Sequence, residues 1–440
     1  MFGTSGVRGP VGDAVTAELA LDVGRAVATD GAEAVILGRD PRESGDVLAD
    51  AVASGLRECG ADVVDVGVAA TPSVARAVAW RDADAGVVVT ASHNPPEDNG
   101  LKLWTPSGQA FDSAAQDRIT DIVERKAFDL RRWDGLGDRT EWDGVADRHR
   151  EELVSATAAL DGLSVVVDVG NGAGGVVADA LYELGASVET LNAQRDGRFP
   201  GRPSEPTAET CETLARTVAA TDADLGVAHD GDADRCMAVD ETGTFVPGDV
   251  LLALFARAAA APGERVAAPV DTSLVVDDVL ADQGVSVTRT RVGDVYVAEA
   301  ASDPDVAFGG EPSGAWIFPE ETLCPDGPRA ACRLAELVSE GAPLSDQVAD
   351  VGQYPIRRTS VEVADKAAVM DAVAAAVAER YDDVTTLDGV RVGTDDGWFL
   401  VRASGTQPLV RVSAEAREED RAEVLFEEAR SLVADASGPE

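Results

Sequence analysis

Three aspartates stand at alternating positions in HDGDADR, directly after the apolar run LGVA. They are Asp230, Asp232 and Asp234. Carboxylates so close together repel one another unless a cation binds, and hard oxygen ligands at this density suit Mg²⁺. An EF-hand calcium loop is excluded, because its sixth position requires Gly and here holds Arg235, and because strands rather than helices are expected on both sides. The remaining alternative is a solvated acidic turn.

A serine in a turn of small residues is the second candidate. Ser92 lies in TASHNP, after the apolar run 86–89. A serine hydroxyl is a poor nucleophile near neutral pH unless it has an adjacent base, a metal, or a phosphoryl group that it can donate. Taken alone, Ser92 also fits an ordinary turn, since Ser and Asn favour turns. The other polar motifs of the chain favour a chemical role for Ser92.

A loop near the C-terminus, RASGTQPLVR, combines guanidinium groups, hydroxyls and a glycine that permits close approach of the backbone. Such a set can clamp a phosphate. Its candidate residues are Arg402, Ser404, Gly405, Thr406 and Arg411. In a chain this acidic, a positive loop is more informative than usual.

The run GNGAGG at 170–175 satisfies the dinucleotide pattern G-x-G-x-x-G between a strand and a helix. The acid expected about 20 residues later could only be Glu189, which sits inside the next strand instead of at its end. A tight strand-to-helix turn explains these glycines more simply.

The polar loops must be positioned by α/β units. Apolar runs at 34–37, 164–169 and 266–270 each end in a turn and lead into an Ala-rich helical pattern. Each is followed by a second strand that ends in a polar loop: TASHNP, HDGDADR and GGEPSG. Since ligands bind beyond the carboxyl ends of strands in open α/β sheets, the three loops could converge on one cleft.

The sequence thus predicts three related α/β domains, with mixed sheets and helices on both faces, followed by a smaller α+β domain. We expect the α/β domains at residues 1–147, 148–247 and 248–354, and the last domain at 355–440. The stretch 131–148 is expected to cover the crossing from the first domain to the second.

The composition of the 440-residue chain limits the classes of partner and the cellular compartment that we expect. With 80 acidic against 37 basic residues, the formal net charge is −43, which repels nucleic acids. Only three basic residues are lysines, and the composition resembles that of proteins from salt-loving archaea. Five cysteines without a C-x-x-C pair fit a reduced cytosol, and no signal segment or membrane span is expected. We therefore expect a cytoplasmic protein that binds neither nucleic acid nor membrane.

Taken together, the motifs resemble those of the α-D-phosphohexomutase family. They run in order from TSGVRG through TASHNP, NGLK, DGDADR and GEPSG to RASGTQP, and they cover nearly the whole chain. The resemblance implies four domains in a heart-like arrangement, with a mobile fourth domain. It also implies an isomerase that exchanges hexose 6-phosphate and hexose 1-phosphate through a 1,6-bisphosphate intermediate.

The same resemblance implies roles for individual residues. Ser92 would carry the phosphoryl group, and Mg²⁺ would lie between that group and the three aspartates. Arg8 and Lys102 would flank the transferred group, with Lys102 as the proton acceptor, a role that requires a lowered pKa. His93 would line the catalytic site. Substrate binding would fall to Arg235, Glu311, Ser313, Arg402, Ser404, Gly405, Thr406 and Arg411.

The sugar is less strongly indicated than the reaction. E-x-S-G at 311–314 resembles the branches of the family that act on glucosamine, mannose or glucose phosphates more than the eukaryotic-type branch. RVGDVYVAE at 291–299 and R-x-S-G-T-x-P-L-V-R-V at 402–412 favour the branch that acts on glucosamine phosphate, with glucose or mannose phosphates as alternatives. One departure is Ala315, where many members have His. Three other hypotheses are a metal-dependent phosphatase that uses Ser92, a nicotinamide-dependent oxidoreductase, and a sugar-phosphate sensor without catalytic activity. The protein is expected to be a monomer or a homodimer.

Overall fold

The computed structural model describes Gly3, residues 6–404 and residues 409–437. Within these residues the chain forms four sheets, each flanked by helices from its own stretch of sequence. The first three sheets are mixed and the fourth is antiparallel throughout. The predicted fold class, three α/β units followed by a smaller α+β unit, is confirmed.

The first unit has six strands in the order β1-β5-β4-β2-β3-β6. Strand β2 pairs in parallel with β3 and β4, whereas β5 runs antiparallel to β1 and β4. Its elements are β1 (Val7–Pro10), α1 (Ala17–Thr29), β2 (Ala34–Arg39), α2 (Gly45–Glu58), β3 (Asp62–Val68), α3 (Thr71–Trp80), β4 (Ala85–Val89), β5 (Asp98–Trp104), α4 (Ser113–Arg125) and β6 (Arg139–Glu141).

The second unit has five strands in the order β11-β10-β9-β7-β8. Strand β7 is parallel to β8 and β9, and β10 is antiparallel to β9. The elements are α5 (Val145–Ser155), β7 (Ser164–Asp168), α6 (Val176–Glu183), β8 (Ser187–Leu191), α7 (Glu212–Thr221), β9 (Leu225–His229), β10 (Cys236–Asp240) and β11 (Phe245–Val246).

The third unit has four strands in the order β13-β12-β14-β15. Strand β12 is parallel to both of its neighbours. The elements are α8 (Gly248–Ala259), β12 (Arg265–Pro269), α9 (Leu274–Ala281), β13 (Ser286–Thr290), α10 (Asp294–Ala301), β14 (Val306–Gly310), β15 (Trp316–Ile317), α11 (Gly327–Glu340) and α12 (Leu344–Val351).

The fourth unit is an antiparallel sheet in the order β16-β20-β19-β18-β17 with two helices packed against it. The elements are β16 (Ile356–Glu362), α13 (Lys366–Ala378), β17 (Val384–Thr385), β18 (Val390–Thr394), β19 (Gly397–Ala403), β20 (Leu409–Ala416) and α14 (Glu419–Ser437). Among the described residues, no helix combines the length and the apolar character needed to cross a membrane.

Alternation along β2 shows why helices cover both faces of the first sheet. Val35 and Leu37 belong to the core beneath α1 and α2, whereas Ile36 belongs to a separate core with α3. Successive side chains of a strand point to opposite faces, so an uninterrupted apolar run needs cover on both sides. Gly24 and Gly55 let α1 and α2 pack closely, since a Cβ there would lie 2.4 Å and 2.1 Å from a backbone oxygen of the facing helix.

The crossing from the first unit to the second contains one further strand of the first sheet. Residues 139–141 form β6, which pairs in parallel with β3 and extends the first sheet. Position 147, the predicted end of the first domain, lies inside α5. A three-residue strand without an apolar pattern gives no signal in the sequence, because its backbone pairing and the ion pairs of Arg139 with Asp50 and Asp65 all involve distant segments.

The last unit docks on the third through a small apolar cluster of Val270, Trp398 and Leu400. Glu415 strengthens this contact, because its Oε2 accepts hydrogen bonds from the backbone N–H of Leu274 at 2.7 Å and from Nε1 of Trp398 at 2.8 Å. This docking brings strands β16, β19 and β20 to the edge of a cleft between the units.

Candidate active site

Ser92 lies in the loop after β4 and has a backbone φ of +52°. This left-handed conformation is uncommon for serine, and the hydrogen bond from its N–H to Oγ1 of Thr90, 2.9 Å long, helps to hold it. The side chain is buried, and its hydroxyl donates to Oδ2 of Asp230 at 2.6 Å and approaches Oδ1 of Asp234 at 3.3 Å. The turn therefore points the hydroxyl at the carboxylates.

Arg42 holds the serine loop from behind. It is 1% exposed, and its guanidinium donates to the carbonyl oxygens of Ser92 at 2.9 Å and Asn94 at 2.6 Å, and to those of Pro95 and Asp98. Its Nε pairs with the buried Asp40 at 3.0 Å. No motif pointed to Arg42, although the stretch GRDPRES at the end of β2 places an Asp and an Arg where a strand ends.

The three aspartates follow β9 and are all buried, with one carboxylate oxygen of each within 4.8 Å of the others. Burial and the facing carboxylates of Asp234 and Asp232 raise the pKa of Asp230 well above its usual range. Oδ1 of Asp232 is buried without a hydrogen-bond partner. A crowded set of hard oxygen donors with one unsatisfied oxygen fits a divalent cation such as Mg²⁺.

Lys102 on β5 faces the same carboxylates. Its ammonium group donates to Oδ2 of Asp232 at 2.8 Å and also to Asp234. Burial by itself would lower the pKa of Lys102, but the two carboxylates outweigh it and the pKa is raised. The lowered pKa that the sequence analysis required of a proton acceptor is therefore not found while the lysine pairs with the carboxylates.

A cavity of about 570 Å³ opens beside this cluster and takes lining residues from all four units. The first two units contribute Arg8, Ser92, His93, Lys102, Asp234 and Arg235, and the last two contribute Pro269, Asp271, Val292, Gly293, Asp294, Glu311, Pro312, Ser313, Ala315, Arg358, Arg402 and Arg411. Burial, with Arg235 and Arg8 nearby, lowers the pKa of His93 to about 2, so its imidazole is neutral. Five arginines line the cavity, which suits an anionic ligand.

The third unit places Glu311 directly after β14. Its Oε1 accepts a 2.6 Å hydrogen bond from the N–H of Gly293, and the hydroxyl of Ser313 lies 3.3 Å from its Oε2. Burial, followed by the nearby Asp294, raises the pKa of Glu311 to about 7. This wall of the cavity can both donate and accept hydrogen bonds, as recognition of sugar hydroxyls requires.

The fourth unit supplies Arg402 from β19 and Arg411 from β20, which lie directly opposite each other in the sheet. Arg402 pairs with Asp388 at 3.1 Å. Like charges opposite each other destabilise a sheet, so their presence beside the cavity indicates an anion site. Ser404 is buried and its carbonyl accepts from Nζ of Lys366 at 2.6 Å. Gly405 and Thr406 lie outside the described residues.

The cavity also contains residues that the motifs did not point to, notably Asp271 and Arg358, and it is lined by Asp294 from the stretch RVGDVYVAE. Asp271 could have been found, because it follows the predicted strand at 266–270 at its carboxyl end. Arg358 lies within β16 and has no local signal, since only the docking of the fourth unit brings it to the cavity.

Four models of known protein families match successive stretches of this chain. Models of phosphoglucomutase/phosphomannomutase alpha/beta/alpha domains I, II and III match residues 1–130, 147–243 and 247–354, and the model of the C-terminal domain matches residues 359–432. The chain belongs to the phosphoglucomutase/phosphomannomutase family. The resemblance inferred from the ordered motifs is thereby confirmed.

Relatives match this member of the family over its full length. The protein named probable phosphoglucosamine mutase of Methanopyrus kandleri is 47% identical, with 98% of this chain and 97% of that protein covered. Its namesake from Methanosarcina acetivorans is 46% identical with 99% of both covered. The crystal structure of a phosphoglucomutase/phosphomannomutase family protein from Burkholderia thailandensis superposes with a TM-score of 0.89 at 28% identity, covering 99% of this chain and 98% of that one.

Proposed function

We propose that this protein is a phosphohexomutase, an isomerase that interconverts hexose 6-phosphate and hexose 1-phosphate, and that its main substrate is glucosamine 6-phosphate. One observation carries the proposal: the hydroxyl of Ser92 lies on the buried aspartates at the edge of a cavity that also contains Arg402 and Arg411. Ser92 could transfer a phosphoryl group, and the two arginines could bind an anion in the same cavity. This combination suits a substrate that carries its phosphate first at one end and then at the other.

In this proposal Ser92 carries a phosphoryl group between turnovers. The hydroxyl of the bound sugar attacks that phosphorus, the bond to Oγ of Ser92 breaks, and a hexose 1,6-bisphosphate forms. The bisphosphate then reverses its orientation within the cavity. Ser92 takes up the other phosphoryl group, and the isomer is released. Atoms balance without water, so the reaction needs no net hydrolysis.

Asp230, Asp232 and Asp234 would hold Mg²⁺ together with an oxygen on Ser92. When bound, the cation supplies Lewis acidity that offsets negative charge on the phosphoryl group. Arg8 is proposed to stabilise the same charge. Lys102 would accept the proton of the attacking hydroxyl, which requires that its two carboxylate partners be neutralised first, because they now raise its pKa.

The other residues would bind the substrate. Arg402 and Arg411, together with Ser404, Gly405 and Thr406, would hold the phosphate that is not reacting. Arg235 and His93 would border the reacting phosphate. Glu311 and Ser313 would bind sugar hydroxyls that both orientations of the substrate share. Ala315 lines the cavity where many family members have His, so proton transfer here cannot rely on an imidazole at that position.

The choice of glucosamine rests on two observations. Full-length relatives at 40–47% identity are named probable phosphoglucosamine mutase. The cavity also carries carboxyl groups of Asp271, Asp294 and Glu311, which suit the ammonium group of an amino sugar better than a neutral hydroxyl. Glucose and mannose phosphates are the second candidates, since the matching family models are named for those sugars.

The test is a rate comparison. Purified protein with Mg²⁺ and a hexose 1,6-bisphosphate is incubated with glucosamine, glucose or mannose 6-phosphate, and products are followed by phosphorus NMR. Glucosamine 1-phosphate should form fastest, and Ser92→Ala should form none. Fresh wild-type protein should contain a species about 80 Da heavier that this variant lacks. Conversion of no hexose phosphate would refute the proposal, and steady release of inorganic phosphate would favour a phosphatase.

We also propose that the protein works in a salty, reducing cytoplasm. All five cysteines are buried and free, as expected where disulfides do not form. The net charge of −43 keeps a protein hydrated when salt screens its repulsion.

A further inference from the structure

One buried hydroxyl joins the serine loop to the aspartate loop. Ser204 lies between β8 and α7, in a segment without any recognised motif, and is 3% exposed. Its Oγ donates to the carbonyl oxygen of Ser92 at 2.9 Å and accepts from the N–H of Gly231 at 2.9 Å. The first partner belongs to the residue proposed to carry the phosphoryl group, and the second lies between two of the proposed metal ligands.

The contact between the two loops is tight on every side. A Cβ built on Gly231 would lie 3.0 Å from Oγ of Ser204, 3.0 Å from the carbonyl oxygen of Ser92 and 3.1 Å from the ring of Phe199. Real Cβ atoms rarely approach so closely, so there is no room for a larger residue. The hydroxyl of Ser204 therefore sits at the point where the loops touch.

Ser204 is itself held in place by a buried ion pair. Arg202 donates to the carbonyl oxygens of Pro203 and Ser204, both at 3.1 Å. The same arginine pairs with the buried Asp168 at 2.7 Å and donates to the carbonyl of His229, the residue before the aspartates. The hydroxyl thus has a rigid support on the second unit.

We propose that Ser204 is a positioning residue for phosphoryl transfer: its hydroxyl fixes the distance between the phosphoryl-carrying serine and the cation-binding aspartates. This inference rests on the proposed function. Without the hydroxyl, the N–H of Gly231 loses its acceptor, and Arg42 is the one donor to the carbonyl of Ser92 that remains among the residues the structure describes. A shift of about 1 Å in reacting groups can reduce a rate about 100-fold.

The test compares Ser204→Ala with Ser73→Ala in the full-length protein. Ser73 is a matched control, because its buried hydroxyl also crosses between the first two units, at 2.8 Å from Nδ1 of His149, but this partner belongs to neither the serine loop nor the aspartate loop. Both variants should lose thermal stability. Only Ser204→Ala should lower kcat, by about 10- to 100-fold, with an unchanged KM for glucosamine 6-phosphate.

Hydrogen exchange in the substrate-free protein supplies a second measurement that does not depend on activity. Peptides covering residues 90–98 and 229–235 should exchange faster in Ser204→Ala and at the wild-type rate in Ser73→Ala. Wild-type exchange in both peptides, or a kcat loss equal in the two variants, would overturn the positioning role. An inactive wild-type protein would instead refute the proposed function, while the exchange result would still decide whether the hydroxyl holds the loops together.

Discussion

Replacing Arg42 with methionine should loosen the loop that carries Ser92 without removing any group from the lining of the cavity. The guanidinium satisfies four loop carbonyls, and both it and its partner Asp40 have fully buried side chains. Methionine keeps much of the length and none of the hydrogen bonds. The change therefore isolates the support of the serine from the chemistry at the serine.

The expected cost follows from burial. Removing one partner of a buried ion pair costs about 3–5 kcal/mol, because the other charge is left without compensation. Since about 1.4 kcal/mol corresponds to a factor of ten, opening of the loop should become roughly 100- to 4,000-fold more frequent. Hydrogen exchange of residues 90–98 measures that opening directly, and kcat should fall as the hydroxyl of Ser92 becomes less well placed.

Two further variants identify the cause. Arg39→Met breaks the exposed pair with Asp46, which is 3.1 Å long, and should leave exchange in this loop unchanged because such pairs contribute little. Adding Asp40→Asn to Arg42→Met removes the stranded carboxylate and should restore part of the protection. If Arg42→Met exchanged like the wild type, or like Arg39→Met, the argument from burial would be wrong.

Three other perturbations test the site and the charge of the molecule. Asp232→Asn should lower kcat by at least about 100-fold and abolish stabilisation by Mg²⁺ in thermal melting, because several kcal/mol of electrostatic help depend on the cation; an unchanged Mg²⁺ response would place it elsewhere. Burial raises the pKa of Asp326, but His149 and Arg76 outweigh it, so the pKa lies well below the ordinary value of 3.8. The stability that this carboxylate contributes is present above pH 3.8 and is lost as pH falls, so the lower melting temperature of Asp326→Asn should approach that of the wild type in acid; a constant difference would contradict the assignment. Raising KCl from about 0.1 M to about 1 M shortens the Debye length from about 10 Å to about 3 Å and should raise the melting temperature by several degrees; a fall would show that self-repulsion does not limit stability.

Local sequence patterns predicted the strands and helices well where apolar periodicity was strong. The run predicted at 164–169 forms β7 at Ser164–Asp168, and the run predicted at 266–270 forms β12 at Arg265–Pro269. Both depend on side chains within one segment, which is the information that a pattern contains. The short strand β6 was not predicted, because its three exposed residues carry no apolar pattern and are held by contacts with distant segments.

The motifs also singled out polar groups that the structure places close together. Ser92 contacts Asp230 and Asp234, and Lys102 contacts Asp232 and Asp234, although 130 to 142 residues separate these partners along the chain. Strand ends explain this result, since polar loops at the carboxyl edges of neighbouring sheets can meet across a cleft. The protonation state of Lys102 was not predictable in the same way, because it depends on which carboxylates face it.

The sequence by itself determined the α/β repeat and the family, and it singled out the candidate groups for phosphoryl transfer, because each of these is encoded in short stretches with their own periodicity or chemistry. Only the tertiary structure decided how those groups are held. Arg42, Ser204 and Arg358 sit in stretches that yield no functional motif, and each gains its role from partners brought together by the packing of separate units. Burial gives those contacts their strength, and burial is a property of the folded chain, not of any one segment.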